Sequence, residues 1–222
     1  MMEKSIMTGA EPDEVWPLVR DFHYSARMPA AIQHIYVVRS AGGLFGDTGD
    51  VLAACIFSIP PTRWAEPVIE LSRLVRNPDY REPLSSLIAF SCRHLRRLGE
   101  PLAVSFADWT QKHHGGIYQA SGWNYAGMRD RAMDGLIVDG RFVPGRSCVS
   151  AWGTRSPDRL RERFPNKVIE PHYDEGKHCY WRALTRIGIK RAGVLNLTSL
   201  PYPKPNAARQ QDEPAPTGVS GV

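Results

Sequence analysis

Two short segments of the sequence carry side chains that could exchange protons with a substrate. His23 and Tyr24 are adjacent, and they pair a group that titrates near neutrality with a phenol that can donate or accept a hydrogen bond. The second segment, Asp108 to His114, holds a carboxylate and two imidazoles and is followed by two glycines that let backbone approach a ligand. These residue types predict general acid–base chemistry, while simple packing is the structural alternative for each of them.

The same segments contain metal-ligand types. His23, Asp108, His113 and His114 could together hold a metal such as iron, but their spacing matches no established ligand pattern. The four cysteines, at positions 55, 92, 148 and 179, form no Cys-x-x-Cys pair. Free thiols in a reducing cytoplasm are therefore expected. The sequence predicts no metal site, and iron stays open as an alternative.

Hydrophobic periodicity predicts the elements that position these segments. Apolar residues at helical spacing indicate helices at 11–22 and 84–98, and β-branched runs indicate strands at 35–38, 51–57, 68–75 and 102–107. The segment from 68 to 107 then reads as a right-handed β-α-β unit with parallel strands. Because ligands gather beyond the carboxyl ends of such strands, Asp108 occupies a favoured place for chemistry.

The second half of the chain is less regular. A short helix is expected at 116–121, a strand at 123–127, a hairpin around Asp139 and Gly140, a brief helix at 158–164 and a last strand at 179–184. Five prolines follow from position 201 onward with almost no aliphatic side chains, which is typical of a disordered tail. The predicted organisation is one domain over residues 1–197 and a proline-rich tail over 198–222.

Composition and charge narrow the class of protein. The chain is 42% hydrophobic and 23% charged, which fits one globular domain. It has no apolar run long enough to span a bilayer and no signal-peptide core near its start, so no membrane association or secretion is expected. Residues 141–191 carry 12 Lys and Arg against 5 Asp and Glu in a chain of net charge +5. Such a block suits a polyanion, although a solvated basic face has the same composition.

The order of the predicted elements resembles the acetyltransferase-type GNAT fold. The resemblance makes Glu70 to Val75 the central strand and places Tyr118 where that superfamily often has its general acid. It implies an α/β (mixed α+β) fold with a central mixed, twisted sheet and flanking helices. Over residues 20 to 185 the sequence more specifically resembles the Mom family of bacteriophage DNA adenine-modification proteins. The matching motifs are His23-Tyr24-Ser25, Arg27-Met28-Pro29, Glu70-Leu71-Ser72-Arg73-Leu74, Ser105 with Asp108, and Gly116 to Ala120 with Trp123 and Tyr125 to Gly127.

The Mom resemblance implies an enzyme that adds a carbamoylmethyl-like group to the exocyclic amine of adenine in double-stranded DNA, which would protect the DNA from host restriction. It implies His23, Tyr24, Asp108 and Tyr118 as the catalytic set. The amine of adenine is a poor nucleophile, so Asp108 or His23 would hold its proton while Tyr118 or Tyr24 assists the departing group. Such an enzyme would work in the cytoplasm of the bacterial host.

The target base would have to leave the duplex and stack on aromatic side chains. The expected substrate-binding residues are Ser25, Arg27, Arg73, Ser105, Trp109, His113, His114, Trp123 and Tyr125. Contacts to the DNA backbone are expected from Arg159, Arg161, Arg163 and Arg186.

The donor and two rival functions stay open. The superfamily binds the pyrophosphate of acetyl-CoA through a glycine-bearing loop, whereas the linker from Arg76 to Leu84 contains no glycine. A phosphate-bearing donor is still conceivable because a helix begins near Pro83, beside Arg81. The rivals are an acyl-CoA-dependent N-acetyltransferase acting on a protein or small amine, and a non-catalytic DNA-binding protein. Loss of modification with intact DNA binding in Asp108→Ala would contradict the second rival.

Overall fold

The structure is a computed structural model that describes residues 6–41, 49–61 and 64–203. Within these ranges no helix is both long enough and apolar enough to cross a membrane. The elements in chain order are β1 (Ile6–Gly9), α1 (Pro12–Phe22), β2 (Ile32–Arg39), β3 (Val51–Ser58), β4 (Ile69–Arg76), α2 (Ser85–Arg97), β5 (Leu102–Asp108), a 3-10 turn (Trp109–Gln111), α3 (Gly116–Ala120), β6 (Asn124–Arg129), β7 (Met133–Val138), β8 (Arg141–Pro144), α4 (Gly145–Trp152), α5 (Pro157–Arg163), β9 (Ile169–Tyr173), β10 (Lys177–Ala183) and α6 (Arg186–Val194).

The main sheet has seven strands in the order β1-β2-β3-β4-β5-β10-β6. Among the described strands only β4 and β5 are parallel, and the helix α2 connects them, so the predicted β-α-β unit is confirmed. The other neighbouring pairs are antiparallel, including β10 with both β5 and β6. This mixed sheet with helices packed on it is the mixed α/β class that the sequence predicted.

Helix α1 delivers the chain to the segment that begins at His23. The carboxylate of Glu14 accepts a hydrogen bond of 2.7 Å from the backbone N–H of Glu11, which satisfies one of the free donors at the start of the helix. Val15 and Val19 are fully buried against the sheet. The helix ends at Phe22, and the chain then turns sharply, because the N–H of Ala26 donates to the carbonyl of His23.

Helix α2 covers the opposite face of the sheet. Its residues Leu87, Ile88 and Leu95 are fully buried and pack in the main core with Phe57 of β3. Burial of each such side chain contributes on the order of 2 kcal/mol to folding. The helix begins at Ser85 and ends at Arg97, within two residues of the predicted bounds.

Residues 133–173 form a second, three-stranded sheet in the order β8-β7-β9. This segment is inserted between β6 and β10 of the main sheet, and it has its own core around Leu136, Leu160 and Ile169. The predicted hairpin at Asp139 and Gly140 joins β7 to β8, which confirms it. At the base of the insertion, the buried carboxylate of Asp174 accepts hydrogen bonds from the backbone N–H groups of residues 132 and 176.

The chain beyond α6 continues to pack on the main sheet. The N–H of Leu200 donates to the carbonyl of Tyr125, and the hydroxyl of Tyr202 donates to the carbonyl of Trp123. The packed part of the chain therefore reaches residue 203. The rest of the predicted tail, residues 204–222, lies outside the described residues. All four cysteines are buried and free.

Candidate active site

Strands β4 and β5 pair over a short distance and then diverge. Their parallel register covers only Ile69 with Ala103 and Glu70 with Val104. Beyond these pairs the hydroxyl of Ser105 donates a hydrogen bond of 2.8 Å to the carbonyl of Leu71. This side-chain bond takes the place of the backbone hydrogen bonds between the two strands. The divergence opens a fork in the middle of the sheet.

Tyr118 of α3 reaches into this fork. Its hydroxyl oxygen lies 2.7 Å from Oγ of Ser105. A serine hydroxyl has one proton, and Ser105 gives it to the carbonyl of Leu71, so Tyr118 is the donor in this bond. Burial raises the pKa of Tyr118, and the Ser105 hydroxyl opposes that rise because it can turn to donate to the phenolate form. The phenol is therefore neutral at physiological pH and can act as a hydrogen-bond donor or a weak acid.

Asp108 is the last residue of β5 and stands at the mouth of the fork. Its Oδ1 accepts a hydrogen bond of 3.0 Å from the N–H of Thr110, which caps the turn that follows. Its Oδ2 lies 3.9 Å from Nζ of Lys177, the residue opposite Asp108 in the register of β10. The carboxylate thus has one oxygen fixed by a backbone hydrogen bond and one that faces Lys177 at a distance too long for a hydrogen bond.

The turn after α1 brings His23 and Tyr24 to the same place. Their rings stack with centroids 4.5 Å apart, and the ring of Tyr24 meets His113 edge-on at 6.1 Å. Tyr24 is 57% exposed. Partial burial raises its pKa, and the negative charge of Asp108 adds to the rise. The two segments that the sequence singled out therefore meet in space.

The proton position on His23 follows from its neighbour Ser25. The backbone N–H of Ser25 donates to Nδ1 of His23 at 3.1 Å, and the Ser25 hydroxyl lies 2.9 Å from the same nitrogen. Nδ1 is therefore an acceptor, so the neutral ring carries its proton on Nε2. Burial, together with the positive charge of Arg73 and a contribution from His113, lowers the pKa of His23 to about 4. His23 is a neutral N–H donor near pH 7.

Arg73 of β4 ties this turn to the sheet. Its Nε donates a hydrogen bond of 3.1 Å to the carbonyl of Arg27, so Arg27 contributes its backbone rather than its guanidinium to the site. Burial lowers the pKa of Arg73. Arg73 nevertheless supplies the positive charge that acts on His23 and Tyr24.

Two cavities meet at the fork. The Glu70 cavity, of about 590 Å³, lies on the side of Glu70, Trp64 and Lys177. The His113 cavity, of about 540 Å³, lies on the side of His23, His113 and Tyr118. The residues that line both are Tyr24, Leu71, Ser72, Phe106 and Asp108.

Gly115 fixes the wall of the His113 cavity. Its φ of +75° is in the left-handed region, and a Cβ built there would lie 2.2 Å from the ring of Tyr180. The hydroxyl of Tyr180 in turn donates a hydrogen bond of 2.6 Å to the carbonyl of His114. Glycine is required here because the backbone must pass directly beside an aromatic ring. This contact holds the loop that carries His113 and His114.

Most of the residues predicted for the site are brought together. All four members of the implied catalytic set line the two cavities, as do Arg73, His113 and His114, while Ser105 and Ser25 hold Tyr118 and His23 in place. The aromatic residues expected to stack on a base lie elsewhere. Trp123 is fully buried beside Tyr118, and Tyr125 and Trp109 pack on His178 of β10. None of these three aromatic residues lines either cavity.

The physical reason is the strand order. β6, which follows Trp123, pairs with β10 rather than with β5. Two strand spacings of about 4.8 Å therefore separate it from the fork. The local sequence pattern cannot show that residues 177–183 form the strand between β5 and β6.

The arginines expected to contact DNA lie on two different parts of the fold. Arg159, Arg161 and Arg163 are exposed on α5 of the insertion. Arg161 forms an ion pair with Asp158 at 2.9 Å, and its Nε donates a hydrogen bond to the carbonyl of Ile169. Arg186 begins α6, which packs at the Leu102 end of β5, opposite Asp108. Arg186 thus lies apart from the three arginines of α5.

Several cavity residues were not among the site residues expected from the sequence, although Glu70 stands in one of the matching motifs. Glu70, Trp64, Phe106, Arg129 and Lys177 all line the Glu70 cavity. A charged residue such as Glu70 inside a central strand, where apolar residues are usual, was the one available signal. The sequence carries no such signal for Lys177, because its place beside the cavity depends on the register of β10 with β5.

In the described part of the chain, no group of three or more His, Cys, Asp or Glu side chains is placed to hold a metal ion. His23, Asp108, His113 and His114 lie around one cavity without forming such a group. The alternative of iron therefore gains no support from this arrangement.

Comparison with solved structures returns GNAT acetyltransferases. Those similar to this chain include the GNAT family N-acetyltransferase YhbS of Escherichia coli in complex with CoA, at 15% identity and a TM-score of 0.43 over 55% of this chain and 70% of that chain. An acetyltransferase of Bacillus subtilis in complex with CoA shows 10% identity and a TM-score of 0.46 over 82% and 100%. An N-acetyltransferase of Staphylococcus aureus shows 8% identity and a TM-score of 0.44 over 82% and 98%. No curated protein matches the sequence.

Comparison with protein families gives a direct assignment. The model of the Mom protein family matches residues 10–204, a range that includes both cavities and the inserted sheet. This match agrees with the resemblance carried by the His23, Glu70, Ser105 and Gly116 motifs. The protein belongs to the Mom family.

Proposed function

We propose that the protein is a transferase that adds a carbamoylmethyl-like group to the exocyclic amine of adenine in double-stranded DNA. Membership of the Mom family supports the proposal. The observation that carries it is the meeting of Asp108, Tyr118 and the His23-Tyr24 pair around one fork in the sheet. In a phage-infected or lysogenic bacterium, the product would resist host restriction enzymes.

Asp108 is the base in this proposal. The lone pair of the adenine amine is delocalised into the ring, so attack on the donor requires removal of an N–H proton as the new N–C bond forms. Oδ1 of Asp108 is held by the N–H of Thr110, which leaves Oδ2 to take that proton. His23 does not compete for this role, because its Nδ1 is occupied by Ser25 and its Nε2 carries a proton.

Tyr118 and His23 serve the departing group. The bond between the donor carbon and its leaving group breaks, and the electron pair goes to the leaving group. The His23 Nε2–H is a neutral donor on the wall of this cavity and can stabilise that developing negative charge, and the Tyr118 hydroxyl can do the same once its proton turns from Ser105 toward the leaving group. Arg73 adds a fixed positive charge beside them.

The linker between β4 and α2 does not fit the pyrophosphate of CoA. It contains no glycine, the side chain of Tyr80 is buried there in the main core, and none of the residues 77–88 lines either cavity. A donor placed in the His113 cavity would instead meet the loop from Lys112 to Gly116.

DNA would be held by exposed cations of the insertion. Arg159 and Arg163 lie on α5, outside the catalytic fork, where they can neutralise phosphates. Binding of this kind positions the duplex without reading its sequence.

The test is the mass of the nucleosides in plasmid DNA recovered from bacteria that express the protein. Wild-type protein should yield deoxyadenosine in which one hydrogen is replaced by a carbamoylmethyl-like group. Asp108→Asn, which keeps the size of the side chain and its contact with Thr110, should lower the modified fraction by about 100-fold or more. Unmodified deoxyadenosine from folded, soluble wild-type protein would contradict the proposal, and acetylation of an added amine by acetyl-CoA would favour the acetyltransferase rival.

A further inference from the structure

The Glu70 cavity contains a carboxylate that the proposed mechanism does not use. Glu70 is half-buried on β4 and faces a space that it shares with Asp108, Arg73 and Lys177. Among the described residues its carboxylate has no hydrogen-bond or ion-pair partner, although Arg73 and Lys177 attract it electrostatically. A half-buried carboxylate that leaves its acceptor capacity unused in a cavity is suited to a ligand that donates hydrogen bonds.

The walls of this cavity suit a planar, polar ring. Trp64 and Phe106 contribute aromatic surface, with ring centroids 6.4 Å apart. The guanidinium of Arg129 lies over the Trp64 ring, 5.4 Å from its centroid. The volume of about 590 Å³ falls in the range that holds a small-molecule ligand and can take a nucleoside.

We propose that the Glu70 cavity receives the flipped-out adenine and that Glu70 reads its 6-amino group. This inference rests on the proposed function. The amine has two N–H bonds: Glu70 accepts one and holds the base, while Asp108, at the boundary of the two cavities, takes the other during transfer. Arg73, Arg129 and Lys177 are the cations near the incoming nucleotide and its phosphates.

The arrangement distinguishes adenine from guanine and thymine. A carboxylate accepts a hydrogen bond from an amino group, and it repels the carbonyl oxygen that guanine and thymine have at the corresponding edge. The His113 cavity is the less suitable place for the base, because it is lined by His23 and Tyr118, the two groups assigned to the departing group. It remains available for the donor, with Tyr118 at its inner end.

The test measures binding and does not require transfer. Short duplexes are prepared with either adenine or purine, which lacks the 6-amino group, at one position opposite an abasic nucleotide, with the flanking sequence randomised. Fluorescence anisotropy gives the dissociation constants for wild type, Glu70→Ala, Glu70→Gln and the control Glu82→Ala. Glu82 is exposed and lines neither cavity. Thermal unfolding shows whether each variant is folded. If Glu70→Ala is unfolded, Glu70→Gln replaces it in the comparison.

Wild type and Glu82→Ala should bind the adenine duplex about tenfold or more tightly than the purine duplex. This ratio is the contribution expected from one charge-assisted hydrogen bond. Glu70→Ala should bind both duplexes equally, and Glu70→Gln should keep less of the preference than wild type. A preference that is absent from wild type, or that survives unchanged in the Glu70 variants, would overturn the inference even if deoxyadenosine is modified in cells. A Glu70-dependent preference without modification would instead leave the pocket standing and contradict the transferase.

Discussion

The hydroxyl oxygen of Tyr118 lies 2.7 Å from Oγ of Ser105, and that Oγ lies 2.8 Å from the carbonyl oxygen of Leu71. The three groups form a chain in which each hydroxyl donates to the next oxygen. The chain crosses the fork at the point where β4 and β5 cease to pair. The position of the Tyr118 hydroxyl is therefore set by the separation of the two central strands.

Replacing Ser105 with alanine should separate the catalytic role of this chain from its contribution to stability. Ser105→Ala leaves the buried Tyr118 hydroxyl without its partner, which should cost about 1–3 kcal/mol of unfolding free energy. It should also raise the pKa of Tyr118 further, because the Ser105 hydroxyl lowers that pKa by donating to the phenolate form. We expect the modified fraction of deoxyadenosine to fall at least tenfold, within the range for one donor at a reacting group.

The matched control for this substitution is Ser91→Ala. Ser91 is equally buried, and its hydroxyl donates to the carbonyl of Leu87 within α2, away from both cavities. Chemical denaturation should show some loss of stability in both variants, whereas nucleoside mass spectrometry should show a loss of modification in Ser105→Ala alone. Equal modification by the two variants would mean that the Tyr118–Ser105 bond is structural.

Acid should destabilise the protein partly through His23. The pKa of His23 is lowered to about 4 in the folded state from its ordinary value of 6.5. Between these two values the unfolded chain binds more protons at this residue than the folded chain does, so stability rises with pH across this window and falls as the solution is acidified. Above the ordinary pKa the contribution is constant.

The measurement is the urea midpoint of unfolding at a series of pH values from 4 to 8. His23→Asn removes the group that titrates, so its midpoint should fall less steeply than that of wild type below pH 6.5. The two curves should run parallel above that pH. A steeper acid loss in His23→Asn would contradict the neutral state assigned to His23.

Gly115 and Gly122 offer a paired test of the loop that carries the histidines. Both glycines have positive φ, at +75° and +69°, but a Cβ at Gly122 meets nothing within 4 Å while one at Gly115 would overlap the ring of Tyr180. Gly122→Ala should therefore cost only the backbone term, roughly 1–2 kcal/mol. Gly115→Ala should cost more and should also lower activity, because Tyr180 must move away from the carbonyl of His114. Equal unfolding free energies for the two variants would show that the loop can shift freely.

The salt dependence of DNA binding should distinguish the arginines of α5 from that of α6. Arg159→Ala removes an exposed cation whose guanidinium has no partner in the described part of the chain, and it should reduce the slope of log affinity against log salt by about 1. Arg186→Ala should leave the slope unchanged, since α6 packs at the opposite end of β5 from the site. The same loss of slope in both variants would mean that both helices contact the duplex.

The sequence was most informative where a residue's role depends on its immediate neighbours. The β-α-β unit, the position of Asp108 at a strand end and the hairpin at Asp139 all follow from local spacing, and the structure confirms them. The meeting of His23 with Asp108 was implied only by the family resemblance. No periodicity links a turn near residue 24 to a strand that ends at residue 108.

The sequence was least informative where strand order decides what a side chain contacts. Trp123 and Tyr125 have the alternation of a strand, but the insertion of β10 between β5 and β6 buries them away from the fork. Lys177 reaches Asp108 by the same insertion. Neither outcome could be read locally, because the strand responsible lies more than 45 residues further along the chain.

The same strand order governs when the protein can fold. Among the strands of the described chain, β6 pairs with β10, and the whole inserted sheet separates the two in sequence. During synthesis, β5 and β6 emerge from the ribosome well before their shared partner, whereas the contacts of β7, β8 and β9 are local and can form first. Asp108 and Lys177 lie at matching ends of the last ladder to close, so the candidate catalytic fork is completed only when almost the entire described chain is available.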